Sequence, residues 1–415
     1  MAEIRRTAII GGGAAGCFLA IRLKELVPQM EVEIFERQQR LLAKVEISGG
    51  GRCNCTNSFE GVSDLRQVYP RGGRLLTRLF RRFSYEDAYS WFESHGVPLV
   101  VQEDHCVFPQ AQDSHAIINC FLREMHRLGV VVHLGTDGFS RLLENGGADA
   151  FDCVAIATGG MHGRVLDLFK AEYIVPPCPS LFTFNVDDTA LKELTGMVVE
   201  RTVVSIPGSR LRAEGALLIT HWGMSGPAIL KLSSHAAKEL SASNYRQPLA
   251  VDWSGGTGTE EIRNQLQLLC TENASRLVAN SPLPYLPSRL WLYLTGKAGI
   301  DASQRRWKEV GNRQMNRLVE VITNDQYAIS GRCHHKEEFV TCGGISLKAV
   351  DSNTLEGCPN MLVSPIAARL FFAGEVLDID GVTGGFNLQA AWTTAFVAAE
   401  GIASAQERDL QTDKN

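Results

Sequence analysis

No run in the 415 residues approaches the ~18 consecutive apolar residues that a membrane helix requires, so no membrane-spanning segment is expected. Arg5-Arg6 precedes an apolar stretch, but that stretch is four residues long and ends in three glycines, too short for the core of an export signal. There is no Cys-x-x-Cys pair. The eleven cysteines are scattered and odd in number, which points to reduced thiols in a cytoplasmic protein rather than a disulfide framework. Positive charge is not in excess: 41 Lys and Arg stand against 46 Asp and Glu. The net charge of −5 gives no general attraction to nucleic acid or anionic membrane, so a small-molecule substrate is the expected partner. Internal repeats and low-complexity tracts are absent as well.

The bulk composition, 45% hydrophobic and 21% charged, is that of an ordinary globular protein. The length exceeds the size at which one core stops growing, so two or more domains are expected.

The first informative segment is near the N-terminus. Residues Thr7–Ile10 form a short apolar strand, Gly11-Gly12-Gly13-Ala14-Ala15-Gly16 follows, and an Ala/Leu-rich helix runs to about Leu26. Gly11, Gly13 and Gly16 fit the G-x-G-x-x-G spacing: a tight turn, close backbone approach to a pyrophosphate, and close packing of helix on strand, with the helix N-terminus facing the anion. A second strand, Glu31–Phe35, ends at Glu36, where an acid accepts ribose hydroxyls; Glu rather than Arg argues against a 2′-phosphate. Downstream lies the run Ser48-Gly49-Gly50-Gly51-Arg52-Cys53-Asn54. Together the two segments describe one long dinucleotide cofactor, FAD, wrapped by discontinuous pieces of chain.

Further along, six arginines occupy 66–82, of which Arg74, Arg78 and Arg82 share a helix face that reads as solvated, with an anion or nucleic-acid contact as the rival. Ser114–Leu128 has helical apolar spacing, Ser114 as cap and Gly129 as stop; Val130–Leu134 reads as a buried strand. A strand at Cys153–Ala157 runs into Thr158-Gly159-Gly160. Pro176-Pro177-Cys178-Pro179 marks a crossing into another domain. Strands are then expected at Leu181–Val186, Met197–Ile206, Ala216–Thr220 and Pro248–Trp253, interrupted by a helix at Pro227–Leu240, before helical spacing takes over to about Asn324. Phe371-Phe372-Ala373-Gly374-Glu375 returns to the nucleotide-fold style, and Gly384-Gly385-Phe386-Asn387 opens a last helix whose N-terminal dipole suits the flavin edge that gains negative charge on reduction.

These segments, with Lys44, Thr56-Asn57, Phe108-Pro109, Thr220-His221, Ser225-Gly226-Pro227, Thr341, Gly343-Gly344, Leu377-Asp378 and Gly384 to Gln389, resemble the bacterial NAD(P)/FAD-dependent oxidoreductases of the aminoacetone-oxidase family. The resemblance covers nearly the whole chain in order. It implies an α/β fold: a Rossmann-like FAD-binding domain of glutathione-reductase type (1–180 and 336–408), interrupted by a β-rich, barrel-like insert (181–258) and a small helical unit (259–335). It implies FAD contacts at Gly11, Gly13, Ala14, Ala15, Gly16 and Glu36, at Lys44, Ser48, Gly49, Gly50, Gly51, Arg52 and Asn54, at Thr158 and Gly159, and at Gly374, Glu375, Asp378, Gly384, Gly385, Phe386 and Asn387. Two departures stand out: Cys55 replaces the usual aliphatic residue, and Val45-Glu46 follows Lys44 where an apolar pair is more common.

Flavin chemistry asks little acid or base of the protein. His221, in a glycine-rich bend before a helix, is the candidate on the substrate side, against the reading of a histidine bonded to local backbone. Cys53 and Cys55 read as packing. Cys333-His334-His335 has no second pair at zinc-like spacing, so no metal is expected. No second G-x-G-x-x-G follows a strand, so NAD(P)H is expected only as a transient electron donor. The expected activity is hydride transfer between a small organic substrate and FAD. The alternatives are NAD(P)H-driven reduction of an enone or steroid-like ring, and a flavoprotein acting on tRNA or binding RNA.

Overall fold

The apolar strand Arg6–Ile10 (β1) lies at the centre of a five-stranded parallel sheet, flanked by Cys153–Ile156 and Glu31–Glu36 (β2), with Arg369–Phe372 and Val131–Leu134 at the edges. A central parallel strand is covered on both faces, which is why Ala8, Ile9 and Ile10 form an unbroken apolar run. The computed structural model describes residues 5–143, 150–161, 163–333, 340–364 and 366–412. They fall into two units, Met1–Cys178 with Val340–Asn415, and Pro179–Phe339.

In the first unit the helix Ala14–Leu26 (α1) packs against the C-terminal helix Phe386–Thr412. Phe18 of α1 meets Phe83, Trp91, Phe121 and Trp392 with ring centroids 4.9 to 6.4 Å apart, an aromatic cluster that fixes both helices. A small antiparallel sheet joins Thr56–Asn57, Cys106–Pro109 and Leu99–Val101.

Three sequence expectations change here. The strand Val131–Leu134 is an edge strand, with Val131 49% exposed, because β-branched residues report fit to a pleated surface rather than burial. Ser114 precedes the helix His115–Leu128, but its hydroxyl donates to Glu46 O at 2.9 Å and caps nothing; Gly129, at φ 73°, ends the helix as expected. The helix Gly73–Leu79 carries Arg74 and Arg78 but ends before Arg82; all three are exposed, Arg78 donating to Ser352 Oγ and Arg82 gripping Glu400 and the Asn353 carbonyl. That face is thus partly committed inside the protein.

The second unit is a closed barrel of six strands in the order Val198–Ser205, Arg212–Thr220, Gly223–Ser225, Phe184–Val186, Asp325–Arg332, Gln247–Asp252. The helices Thr259–Glu272, Ser288–Lys297 and Asn312–Thr323 share one core with it around buried Trp253, Trp291 and Trp307. Residues 325–332, beyond the helical spacing but inside the helical unit (259–335) that the resemblance implies, form a barrel strand. Asp325, Tyr327 and Ile329 point inward, and a carboxylate at an inward position hides the alternation that sequence reading relies on. Among the described residues no helix is long and apolar enough to cross a membrane.

Candidate functional site

The glycine turn after β1 explains the local geometry by what a methyl group would strike. At Gly16 a Cβ would lie 1.9 Å from Gly11 O, so helix and turn touch only because residue 16 has no side chain. At Gly11, with φ 106°, a Cβ would lie 2.4 Å from Ala157 O, so the Ala157–Gly160 segment closes directly on the turn. At Gly13 nothing lies within 4 Å. Gly13 is the N-cap of α1, no side chain caps the helix, and its opening bond is Cys17 N–H to Gly13 O at 3.0 Å. The N–H groups of the first turn therefore have no side-chain cap, and the positive end of the helix dipole lies behind them. Beside them Thr158 Oγ1 is buried without a hydrogen-bond partner. An uncapped helix start, an open cradle and an unpartnered hydroxyl fit the diphosphate of FAD.

Glu36 ends β2 with both carboxylate oxygens engaged: Oε2 accepts Gly12 N–H at 2.7 Å and Oε1 accepts Gln38 N–H at 2.8 Å. A carboxylate offers about four acceptor positions, so capacity for a ribose hydroxyl remains.

The C-terminal contribution arrives next to this turn. Gly374, at φ 79°, packs so closely on α1 that a Cβ would lie 2.8 Å from the Ala15 Cβ. Glu375 receives Lys44 Nζ at 3.1 Å on Oε2 and the Thr341 N–H at 2.8 Å on Oε1. A Cβ at Gly159 would be 3.7 Å from the Glu375 carboxylate and 4.0 Å from the Lys44 ammonium. Asp378 Oδ1 accepts the Gly343 N–H at 3.1 Å. The structure thus gathers Gly11–Gly16, Lys44, Thr158-Gly159 and Gly374-Glu375 from four distant stretches of sequence.

Within the Ser48–Asn54 run the three glycines are left-handed, with φ of 58°, 70° and 86° at Gly49, Gly50 and Gly51. Ser48 Oγ donates to Val45 O at 2.9 Å. Gly50 and Gly51 face open space, whereas Gly49 abuts Asn54 N. Arg52 does not project outward: its guanidinium lies 4.2 Å over the Phe108 ring and donates to Gly49 O and Gln112 Oε1, both at 3.2 Å. Its visible work is to brace the loop. Asn54, oriented as its neighbours require, accepts Gly385 N–H at 3.2 Å and donates to Thr56 O at 2.9 Å. Asn57 Nδ2 donates to Gly384 O at 2.9 Å, and Trp392 Nε1 donates to Cys55 O at 2.8 Å.

Two expected contacts are spent within the protein. The Phe386 ring is buried, edge-on to Phe59 and Tyr69, and its carbonyl accepts the Tyr69 hydroxyl. The Asn387 amide closes on Gly381 through both its oxygen and its nitrogen, at 2.8 and 2.9 Å. What this helix start leaves available is main chain.

Sequence reading missed two supporting groups: the N–H donors of Thr341 and Gly343, and the buried ion pair of Arg71 with Asp380. The signal for the first was the Gly343-Gly344 pair, since a Cβ at Gly343 would lie 2.6 Å from Pro176 O.

The thiols near the loop are held in the protonated form. Burial pushes Cys53 up to about 12, only partly offset by a hydrogen bond with Ser48; burial, then neighbouring Cys53, raises Cys55. His221 stands on the turn between the strands Arg212–Thr220 and Gly223–Ser225, exposed, its ring edge-on to Trp222 at 4.5 Å. His334 and His335 lie outside the described residues, among which no metal-holding cluster occurs.

Comparison with known proteins gives two matches: the HI0933-like protein Rossmann domain over residues 5–161, and the HI0933-like protein barrel and H2TH domain over 178–340. A Haemophilus influenzae protein named ribosomal RNA dihydrouridine synthase is 26% identical over 97% of this chain and 99% of its own. An Escherichia coli protein of the same name is 26% identical over 96% of this chain and 98% of its own. A Clostridium scindens 3-dehydro-bile acid delta(4,6)-reductase is 24% identical over 96% and 99%. With a Rossmann unit built to hold a dinucleotide and both family regions matched in order, the chain belongs to the HI0933-like family and is an FAD-dependent oxidoreductase.

Proposed function

We propose that this oxidoreductase saturates a carbon–carbon double bond conjugated to a carbonyl, and that its substrate is a uracil base in ribosomal RNA. The observation that carries the reading is the end-to-end likeness, across both units, to relatives whose names describe this chemistry. The C5=C6 bond of uracil is conjugated to the C4 carbonyl, and the ring of a 3-dehydro-delta(4,6) steroid acid carries its double bonds in conjugation with the 3-keto group. In uracil a hydride goes to the β-carbon C6 and a proton to the α-carbon C5; in the dienone a hydride goes to the β- or the vinylogous δ-carbon and a proton to the carbon beside it.

Reduced FAD, when bound, would supply the hydride, and NAD(P)H, binding transiently because the sequence has one dinucleotide motif, would reduce it again. The first-turn N–H groups of α1 with Thr158 would hold the diphosphate and Glu36 the ribose. Lys44 and Glu375 would place one charge of each sign beside the cofactor, and the main-chain N–H groups opening the helix at Phe386 would stabilise negative charge. His221 is the candidate to deliver the proton.

An RNA substrate is supported by exposed Arg276, Arg305, Arg306, Lys308 and Arg313 in the second unit. Bonds from Trp307 N–H to Arg276 O and from Val278 N–H to Arg305 O bring two chain segments of this group together. Such a local patch attracts phosphates although the whole chain is acidic.

The test is to incubate holoprotein with NADPH and ribosomal RNA from a strain lacking the gene, then analyse nucleosides by mass spectrometry. Dihydrouridine at a defined position is expected, with binding that weakens steeply as salt rises. Unmodified RNA together with reduction of a free steroid enone would transfer the assignment to the small molecule.

A further inference from the structure

The chain leaves the first unit after Cys178 and re-enters it at Val340. These crossings run side by side, the strand Ile174–Ser180 pairing with the strand Val340–Ile345. Gly343 presses against Pro176 and Pro177, where a Cβ would come within 2.7 Å of the Pro177 Cα. One residue away on each strand, Cys178 Sγ and Cys342 Sγ stand 3.3 Å apart, with both side chains buried. Neither thiol has a part in the site described above.

We propose that Cys178 and Cys342 form a reversible dithiol–disulfide pair which, when oxidised, joins the two crossings covalently and makes the whole second unit a closed loop of chain.

Three features support this. Neighbouring strands lie about 4.8 Å apart, inside the range of Cα separations that a disulfide spans. The sulfurs need to close by only about 1.2 Å to reach bonding distance. Closure also has a place to act, because Thr341 and Gly343 flank Cys342 and donate their N–H groups to Glu375 and Asp378 of the candidate cofactor site. The hydrogen bond with Cys178 and burial keep the Cys342 thiol well above its ordinary range, while the Arg71 guanidinium pulls it down. The pair therefore rests as the dithiol.

The oxidant is a peroxide. One thiol sulfur attacks the O–O bond and becomes a sulfenic acid as its proton passes to the departing oxygen and the first water leaves; the second sulfur then attacks the sulfenic sulfur, the S–S bond forms, the S–O bond breaks, and the second thiol proton leaves with that oxygen as the second water. Two thiols and one hydrogen peroxide give one disulfide and two waters. A small dithiol reverses the step by exchange.

The full-length holoprotein is treated with hydrogen peroxide, unfolded in iodoacetamide, digested and mapped by mass spectrometry. The expected result is a cross-linked peptide joining Cys178 to Cys342, the loss of those two alkylation sites, and their return with dithiothreitol. Cys178→Ser and Cys342→Ser should each remove the cross-link and leave a sulfenic acid on the remaining partner that dimedone traps. Should either variant fold poorly, mapping of the unaltered protein decides alone. The proposal is overturned if both cysteines stay alkylatable after peroxide has oxidised the more accessible Cys270 and Cys358, or if either pairs with a different cysteine.

Discussion

Gly13 and Gly16 lie three residues apart in one motif, yet they answer to different constraints. Gly16 is required by the protein itself: Gly16→Ala pushes a methyl into Gly11 O, and overpacking of this kind costs about 1–3 kcal/mol. Denaturant unfolding of the apoprotein should register that loss. Gly13 faces open space with φ −83°, so Gly13→Asp should keep or slightly raise apoprotein stability, since aspartate is a favoured N-cap. Its carboxylate would repel the diphosphate, and purified Gly13→Asp should lack flavin absorbance; yellow protein would remove the diphosphate from the α1 N-terminus. Motif spacing made these glycines legible. The fates of Arg52, Phe386 and Asn387 were not, because the ring of Phe108, the hydroxyl of Tyr69 and the loop at Gly381 become their neighbours only after folding. The thiols were readable as packing, and a second prediction follows: in native protein at pH 8, iodoacetamide should modify Cys270 and Cys358 well before Cys53 and Cys55. Early labelling of Cys53 would mean that the glycine loop opens and exposes it.

At the level of elements, periodicity was a reliable guide wherever inward positions are apolar. It found β1, α1 and the strands on either side of the proline crossing, and it offered no strand at Asp325–Arg332, where the first inward residue is a carboxylate. Asp325 is 3% exposed and is held by Lys297, the Tyr327 hydroxyl and Trp253 Nε1, the last at 3.1 Å. Asp325→Asn removes the partner of a half-buried ammonium, and breaking a buried pair costs about 3–5 kcal/mol. Urea unfolding of the full chain should show that loss; a change below ~1 kcal/mol would mean that water already reaches the Lys297 head group. A loop in the first unit gives a pH test. Asp351 Oδ1 accepts the N–H groups of Asn353 at 2.8 Å and Thr354 at 3.0 Å, and these bonds, Asn353 first, hold its carboxyl below the usual range. A depressed folded pKa gives stability that is complete above the unfolded value of about 3.9 and is lost as pH falls through the folded value. Asp351→Asn should therefore fall in melting temperature less than the parent between pH 4 and pH 2, and parallel curves would contradict the bonding.

For the molecule as a whole, the outward crossing was legible because three prolines in four residues stiffen it, whereas the return, placed at 336 by the resemblance, has no such local mark in the chain. What no periodicity discloses is that the two crossings are adjacent, since pairing across 164 positions is set by folding. Their adjacency makes excision feasible. Hairpin turns of about 2–5 residues join neighbouring strands, so replacing residues 179–339 with a short Gly-Asn turn should leave the five-stranded sheet, α1 and the C-terminal helix able to fold. Every residue assigned to FAD lies outside the excised stretch, while His221 and the exposed Arg276–Arg313 group lie inside it. The shortened chain should unfold cooperatively and bind FAD, with flavin fluorescence quenched on binding, yet transfer no hydride to RNA and lose its salt-dependent retention on it. A folded but flavin-free product would show that the second unit contributes to the cofactor cradle. A flavin-bound product that still forms dihydrouridine would place the substrate's contacts in the first unit alone.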